Sequence, residues 1–128
     1  MRKRGWGRVI FVASNAGLTG YPYTSAYCAS KHGVVGLMRG LAREYTDADL
    51  TVNAICPGFV ESEATAVNDF EMPGLMTADA AAQAIIDAMA KNDFLVHFPK
   101  SFTRIMAWLR FLPDKWFFRI VGKRTGYV

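Results

Sequence analysis

The run Val9-Ile10-Phe11-Val12-Ala13 is five apolar residues with no polar interruption. A run this short and this rich in β-branched residues reads as a strand buried on both faces, the environment of a parallel sheet. Residues 14–23 follow with Gly17, Gly20 and Pro22, which is loop composition. Thr24 and Ser25 are candidate helix caps. Beyond them Ala26, Ala29, Val34, Leu37, Met38 and Leu41 recur at three- and four-residue spacing, which predicts a helix to about Tyr45. Leu50 to Cys56 predicts a second strand, stopped by Pro57-Gly58.

Residues 59–76 are mixed and irregular. Thr77 then reads as a cap, with Asp79 in the first turn where the helix dipole favours a negative charge. Ala80 to Lys91 predicts a helix, and Phe94 to Phe98 a third strand closed by Pro99. The order is strand, helix, strand, loop, helix, strand. That alternation predicts an α/β fold, a Rossmann-like doubly wound parallel sheet with right-handed crossovers. Two helices barely cover both faces of three strands, so these elements are expected to be part of a larger sheet. The chain divides into residues 1–99 and a tail, 100–128. The tail carries a helical stripe (Phe102, Ile105, Met106, Leu109, Leu112). After Pro113, Trp116, Phe117, Phe118, Ile120 and Val121 alternate with basic groups.

With 52% hydrophobic and 13% aromatic residues, the chain is too apolar for a disordered polymer. The net charge of +4 is unevenly placed: residues 1–8 carry four basic groups, and residues 100–128 carry seven against Asp114. The stretch between holds four basic and ten acidic residues. An acidic middle is a poor phosphate footprint, so nucleic acid is not an expected partner. No spanning helix and no secretory signal are expected. Cys28 and Cys56 are too few for a disulfide framework or a thiolate zinc site, which points to a reducing, cytoplasmic setting with no metal.

The chemistry lies near the start of the first helix. Tyr27 and Lys31 are four apart, so they share a helix face. An ammonium beside a phenol favours the phenolate, and a tyrosine tuned this way can give or take a proton at a carbonyl or alcohol oxygen. Alone, the pair describes any surface helix bearing a Tyr and a Lys. Its surroundings add meaning. Ser14 stands at the C-terminal end of the first strand, the edge where open α/β sheets bind ligands, and Pro57-Gly58 ends the next strand at the same edge.

Three segments together resemble the short-chain dehydrogenases/reductases. They are Gly-Arg-Val-Ile-Phe-Val-Ala-Ser-Asn-Ala-Gly at 7–17, Tyr-Cys-Ala-Ser-Lys at 27–31, and Val-Asn-Ala-Ile-Cys-Pro-Gly-Phe-Val at 52–60. The resemblance implies Tyr27 as general acid/base, Lys31 as the group that lowers its pKa and holds the nicotinamide ribose, and Ser14 as the substrate-oxygen ligand. It also implies that Pro57, Gly58, Val60 and Ser62 border the nicotinamide, Ser62 standing where the family usually has Thr. The implied reaction is hydride transfer between NAD or NADP and a small carbonyl/alcohol pair, with a lipid-like substrate suggested by the apolar tail. Residues 59–76 would form the substrate lid, and the Tyr-bearing helix would pair subunits into a homodimer or homotetramer.

The resemblance also has a gap. The family opens with a strand and a Gly-rich turn that cradles the pyrophosphate, and these 128 residues contain no such motif. Gly33 and Gly36 lie within the Tyr27 helix, where they would permit close helix packing. The expectation is that the chain begins mid-domain and is inactive alone. The alternative is a non-catalytic relic serving as an interaction or membrane-peripheral module. Cys28, Cys56 and His97 read as structural, His32 as a surface or interface group, and the lid acids Glu61, Glu63, Asp69 and Glu71 as solvated. The tail is expected to cover core or a subunit interface, with contact to an anionic membrane surface as the alternative.

Overall fold

The computed structural model describes residues 1–46, 50–109 and 111–125. Three parallel strands form one sheet in the order β1 (Gly7–Val12), β2 (Leu50–Pro57), β3 (Leu95–Phe98). Val9 pairs with Val52, Val12 with Ile55, and Pro57 with Phe98, so all three strands end along one edge. Helix α1 (Ser25–Glu44) crosses from β1 to β2. After β2 come the short α2 (Glu63–Ala66) and then α3 (Ala78–Ala90), which leads into β3.

The alternation of side chains along the strands divides the core between two faces. On one face Ala13, Val52, Ala54 and Cys56 pack against Val35 and Met38 of α1, with Phe11 and Leu41 at the margin. On the other, Ile55, Val96 and Phe98 pack against Ala81 and Ala88 of α3. Thr77 caps α3 by accepting from the Ala80 amide, as its position before Asp79 predicts. At the opposite edge of the sheet Arg8 ties β1 to its neighbours. Its guanidinium donates to Thr51 Oγ1, to the Met89 carbonyl near the end of α3, and to Asn92 Oδ1.

The expected elements are present with shifted ends. β1 begins at Gly7, and Ala13 already lies outside it. Residues 9–30 form a long uncharged stretch, and the chain divides it among β1, a 3-10 turn at Asn15–Gly17 and α1. Among the described residues no helix is long and apolar enough to cross a membrane. The α2 helix has no counterpart in the hydrophobic pattern. It depends on a capping box in which the Ser62 and Thr65 side chains each meet the other's backbone amide.

The α3 face of the sheet is incompletely covered over β1 by the described residues. Val12 is 64% exposed and Ile10 is exposed too. The glycines of α1 face outward: a β-carbon at Gly33, Gly36 or Gly40 would meet nothing within 4 Å inside this chain. The tail forms two helices, α4 (Lys100–Leu109) and α5 (Asp114–Thr125). Within this chain their outer side is uncovered: Ile105, Trp108, Leu112, Trp116, Phe118 and Ile120 are exposed. The side chains of Phe102, Met106 and Val121, and residue Arg110, lie outside what is described.

Candidate active site

Ser14 leaves β1 in extended conformation, and its Oγ accepts from the Ala16 amide at 3.1 Å. This cap uses one of the oxygen's two lone pairs and leaves the hydroxyl proton available to an acceptor. The turn it starts is pressed onto α1. A β-carbon at Gly17 would stand 2.6 Å from the Lys31 carbonyl oxygen and 3.2 Å from Val35 Cγ2, so no side chain fits there. The fit fixes the Ser14 turn against the helix level that carries the Tyr-Lys pair.

Tyr27 and Lys31 lie in the first two turns of α1. Lys31 Nζ donates to the Val12 carbonyl at 3.2 Å, anchoring the ammonium at the end of β1. The same ammonium lies 5.6 Å from the centre of the Tyr27 ring. Tyr27 is 49% exposed, so its phenol is open to a ligand at this edge. The loop before α1 is held from inside the helix: the Tyr21 amide donates to Cys28 Sγ, which also contacts Thr24 Oγ1. Burial, followed by the neighbouring Cys28, pushes the Tyr21 phenol up to about 12, which leaves it a neutral packing group.

Pro57 ends β2 beside this turn. The Gly58 amide donates to the Phe98 carbonyl at 2.8 Å. A β-carbon at Gly58 would be 3.1 Å from each of Asn15 Nδ2, the Phe98 oxygen and Pro99 Cδ, so the turn passes flush between the strand ends. Val60 and Met76 then form an isolated parallel bridge that closes the base of the loop 59–76. Phe59 and Phe70 meet edge to face inside that loop, ring centres 5.9 Å apart. Val60 is half-buried at the base, its carbonyl accepting from Thr65 Oγ1. Ser62 is exposed, and its hydroxyl is engaged in the α2 capping box.

Cys56 is fully buried next to Ser14. Burial pushes its thiol up, while the Ser14 backbone and the Arg39 and Lys31 charges pull the other way. His97, its partner across the sheet, lies beneath the tail. Thr103 Oγ1 donates to the Pro99 carbonyl, so the 2.6 Å contact to His97 Nδ1 is donated by the ring. His32 is exposed, with Nδ1 2.9 Å from the Cys28 carbonyl.

Two features went unread in the sequence. Gly17 was visible only as part of a motif, because its partner is the Lys31 carbonyl fourteen residues on. Asn15 is 6% exposed, and neither side-chain amide atom has a partner among the described residues. A lone Asn after a strand gives no signal of either. Two shallow hollows of about 630 and 660 Å³ lie around Tyr45, Leu50 and Val52 at the opposite sheet edge, away from Tyr27.

The geometry joins a serine turn, a Tyr-Lys pair and a glycine turn at the C-terminal edge of parallel strands. The family model described as short chain dehydrogenase matches residues 1–72. The chain belongs to the short-chain dehydrogenases. D-beta-hydroxybutyrate dehydrogenase of Rhizobium meliloti is 52% identical over 60 residues, covering 47% of this chain and 23% of the relative. Among solved structures, a short-chain dehydrogenase/reductase of Burkholderia phymatum in complex with NAD has a TM-score of 0.68 at 21% identity. It covers 83% of this chain and 48% of its own. A short-chain dehydrogenase of Sphingobium yanoikuyae in complex with NADPH has a TM-score of 0.67 at 20% identity, covering 97% and 45%. These two likenesses show the fold. The matches span less than a third of the curated relatives and less than half of these solved chains.

Proposed function

We propose that residues 1–99 are the catalytic part of an NAD- or NADP-dependent oxidoreductase that interconverts a carbonyl and an alcohol. The observation that carries this reading is the placement of Lys31 Nζ, 3.2 Å from the Val12 carbonyl and 5.6 Å from the Tyr27 ring, at the edge where Ser14 emerges. Tyr27 gives a proton to the substrate oxygen as a carbonyl is reduced, and takes it back in the reverse direction. Lys31 holds its positive charge 5.6 Å from the centre of the Tyr27 ring, at the edge where the substrate oxygen would sit. Ser14, one lone pair engaged by the Ala16 amide, hydrogen-bonds the same substrate oxygen through its hydroxyl proton.

The residues fit the nicotinamide end of a dinucleotide. The Gly58 turn lies flush with the strand ends, and beside it Asn15 presents a buried amide with no partner among the described residues. Lys31 would hold the nicotinamide ribose; Pro57, Gly58 and Val60 would border the ring. Ser62 would reach it only by releasing its cap on α2. When bound, the nicotinamide supplies or accepts the hydride. The 128 residues hold no Gly-rich turn for the pyrophosphate, so alone they grip the nicotinamide half and not the adenosine half. The solved relatives in complex with NAD and with NADPH support either cofactor.

The open α1 face, with Gly33, Gly36 and Gly40 and the exposed Leu37, supports pairing with a second copy as a homodimer or homotetramer. Two buried free thiols support a reducing, cytoplasmic setting. The exposed aromatic residues of the tail support a lipid-like substrate. Saturation-transfer NMR of NADH against the chain tests the reading. The nicotinamide and adjoining ribose protons are expected to receive saturation, the adenine protons little, and Tyr27→Phe with Lys31→Met to erase the effect. No transfer to the nicotinamide, or equal transfer to the adenine, contradicts it.

A further inference from the structure

The last two helices leave large apolar side chains uncovered. On α4, Ile105 and Trp108 are exposed, Trp108 by 77%; on α5, Trp116, Phe118 and Ile120 are exposed. Thr103 is buried, held by the Pro99 carbonyl and the His97 ring, so the Thr103 side of α4 faces the sheet and the Trp108 side faces away.

Cations share the faces of these residues. Arg104 stands one turn before Trp108, Lys115 one turn before Phe118, and Arg119 one turn after Trp116; all three cations are exposed. Residues 100–128 hold seven basic groups against Asp114 alone. Apolar and cationic groups are therefore interleaved. The core of a protein interface is poor in charged residues, and a second copy of this face would set cation against cation. An anionic bilayer accommodates both kinds, with aromatic rings at the headgroup level and Lys and Arg on the phosphates. We propose that α4 and α5 form a docking surface for an anionic lipid bilayer.

The surface is wired to the catalytic edge. Pro99, the residue before α4, packs against both the Gly58 turn and Gly74, where a β-carbon would stand 2.6 Å from Pro99 Cγ. Vesicle binding needs neither cofactor nor turnover, so the proposal stands or falls apart from the oxidoreductase reading.

The test uses the full chain with Trp6→Phe, since Trp6 is 72% exposed before β1 and would add its own signal. Trp108 and Trp116 then report alone. The probes are vesicles of phosphatidylcholine alone and vesicles with phosphatidylglycerol at about two to one, each also made with brominated acyl chains. The chain is expected to sediment with the anionic vesicles and to be quenched by brominated lipid. Binding to neutral vesicles is expected to be at least about tenfold weaker, and added salt to release the chain. Arg104→Glu with Lys115→Glu and Arg119→Glu is expected to lower anionic binding by about tenfold or more. Salt dependence reads the same interaction without any substitution. A chain that stays in the supernatant, or that binds both lipids alike regardless of salt, overturns the proposal. Dimerisation abolished by Trp108→Ser with Trp116→Ser also overturns it, and assigns the face to a second copy.

Discussion

Gly17 faces the Lys31 carbonyl so closely that a β-carbon would stand 2.6 Å from the oxygen. The residue that fixes the serine turn and the residue that carries the ammonium are thus a single packing unit. Gly17→Ala should force the turn off α1 and cost about 1–3 kcal/mol, the usual range for an overpacked site. Urea unfolding followed by circular dichroism measures this. An unchanged midpoint would mean the turn yields freely and positions nothing.

Lys31 is predicted to matter for chemistry and not for folding. Its bond to the Val12 carbonyl is at the exposed end of β1, so Lys31→Ala should change stability by no more than about 0.5 kcal/mol. In a chain supplied with the pyrophosphate-binding half, the same change should lower kcat by about a hundredfold or more. Steady-state kinetics beside a melting curve checks both halves of the prediction.

Cys56 is fully buried and its thiol is pushed up by burial, and Cys28 is buried too. Both should resist iodoacetamide in the folded chain. Alkylation should be at least about a hundredfold slower than in urea, because it requires an opening that costs a sizeable part of the folding free energy. Mass spectrometry of quenched time points follows each cysteine.

His97 gives a pH dependence of definite sign. Burial, then Lys100 and Arg104, lower its pKa below the ordinary value of 6.5, with Asp93 opposing. The unfolded chain therefore binds a proton at a higher pH than the folded chain does. The stability from a neutral His97 is present above about pH 6.5 and is lost as the pH falls through the lowered folded value. The urea midpoint should drop across that window, and His97→Gln should flatten the drop.

Much of this was legible in the sequence because it is local. The spacing of Tyr27 and Lys31 follows from helix geometry. The strand character of residues 9–12 follows from an uninterrupted apolar run rich in β-branched residues, and the Thr77 cap from its own side chain. The packing of Gly17, Asn15 and Pro99 was not legible, since their close neighbours are Lys31, Gly58 and Gly74, brought near only by strand pairing and helix docking. The α2 helix escaped because two hydroxyls hold it, without an apolar stripe. The tail was read as helical, yet periodicity alone does not reveal whether anything covers it.

The most direct test joins these 128 residues behind the amino-terminal half of the Rhizobium meliloti hydroxybutyrate dehydrogenase, at the segment where the two chains are 52% identical. NADH and NADPH oxidation is then followed with a series of ketones. The account predicts turnover, and a fall in kcat of about 10² to 10⁴ on Tyr27→Phe with an unchanged melting temperature. A folded chimera in which Tyr27→Phe turns over as fast as its parent would contradict it.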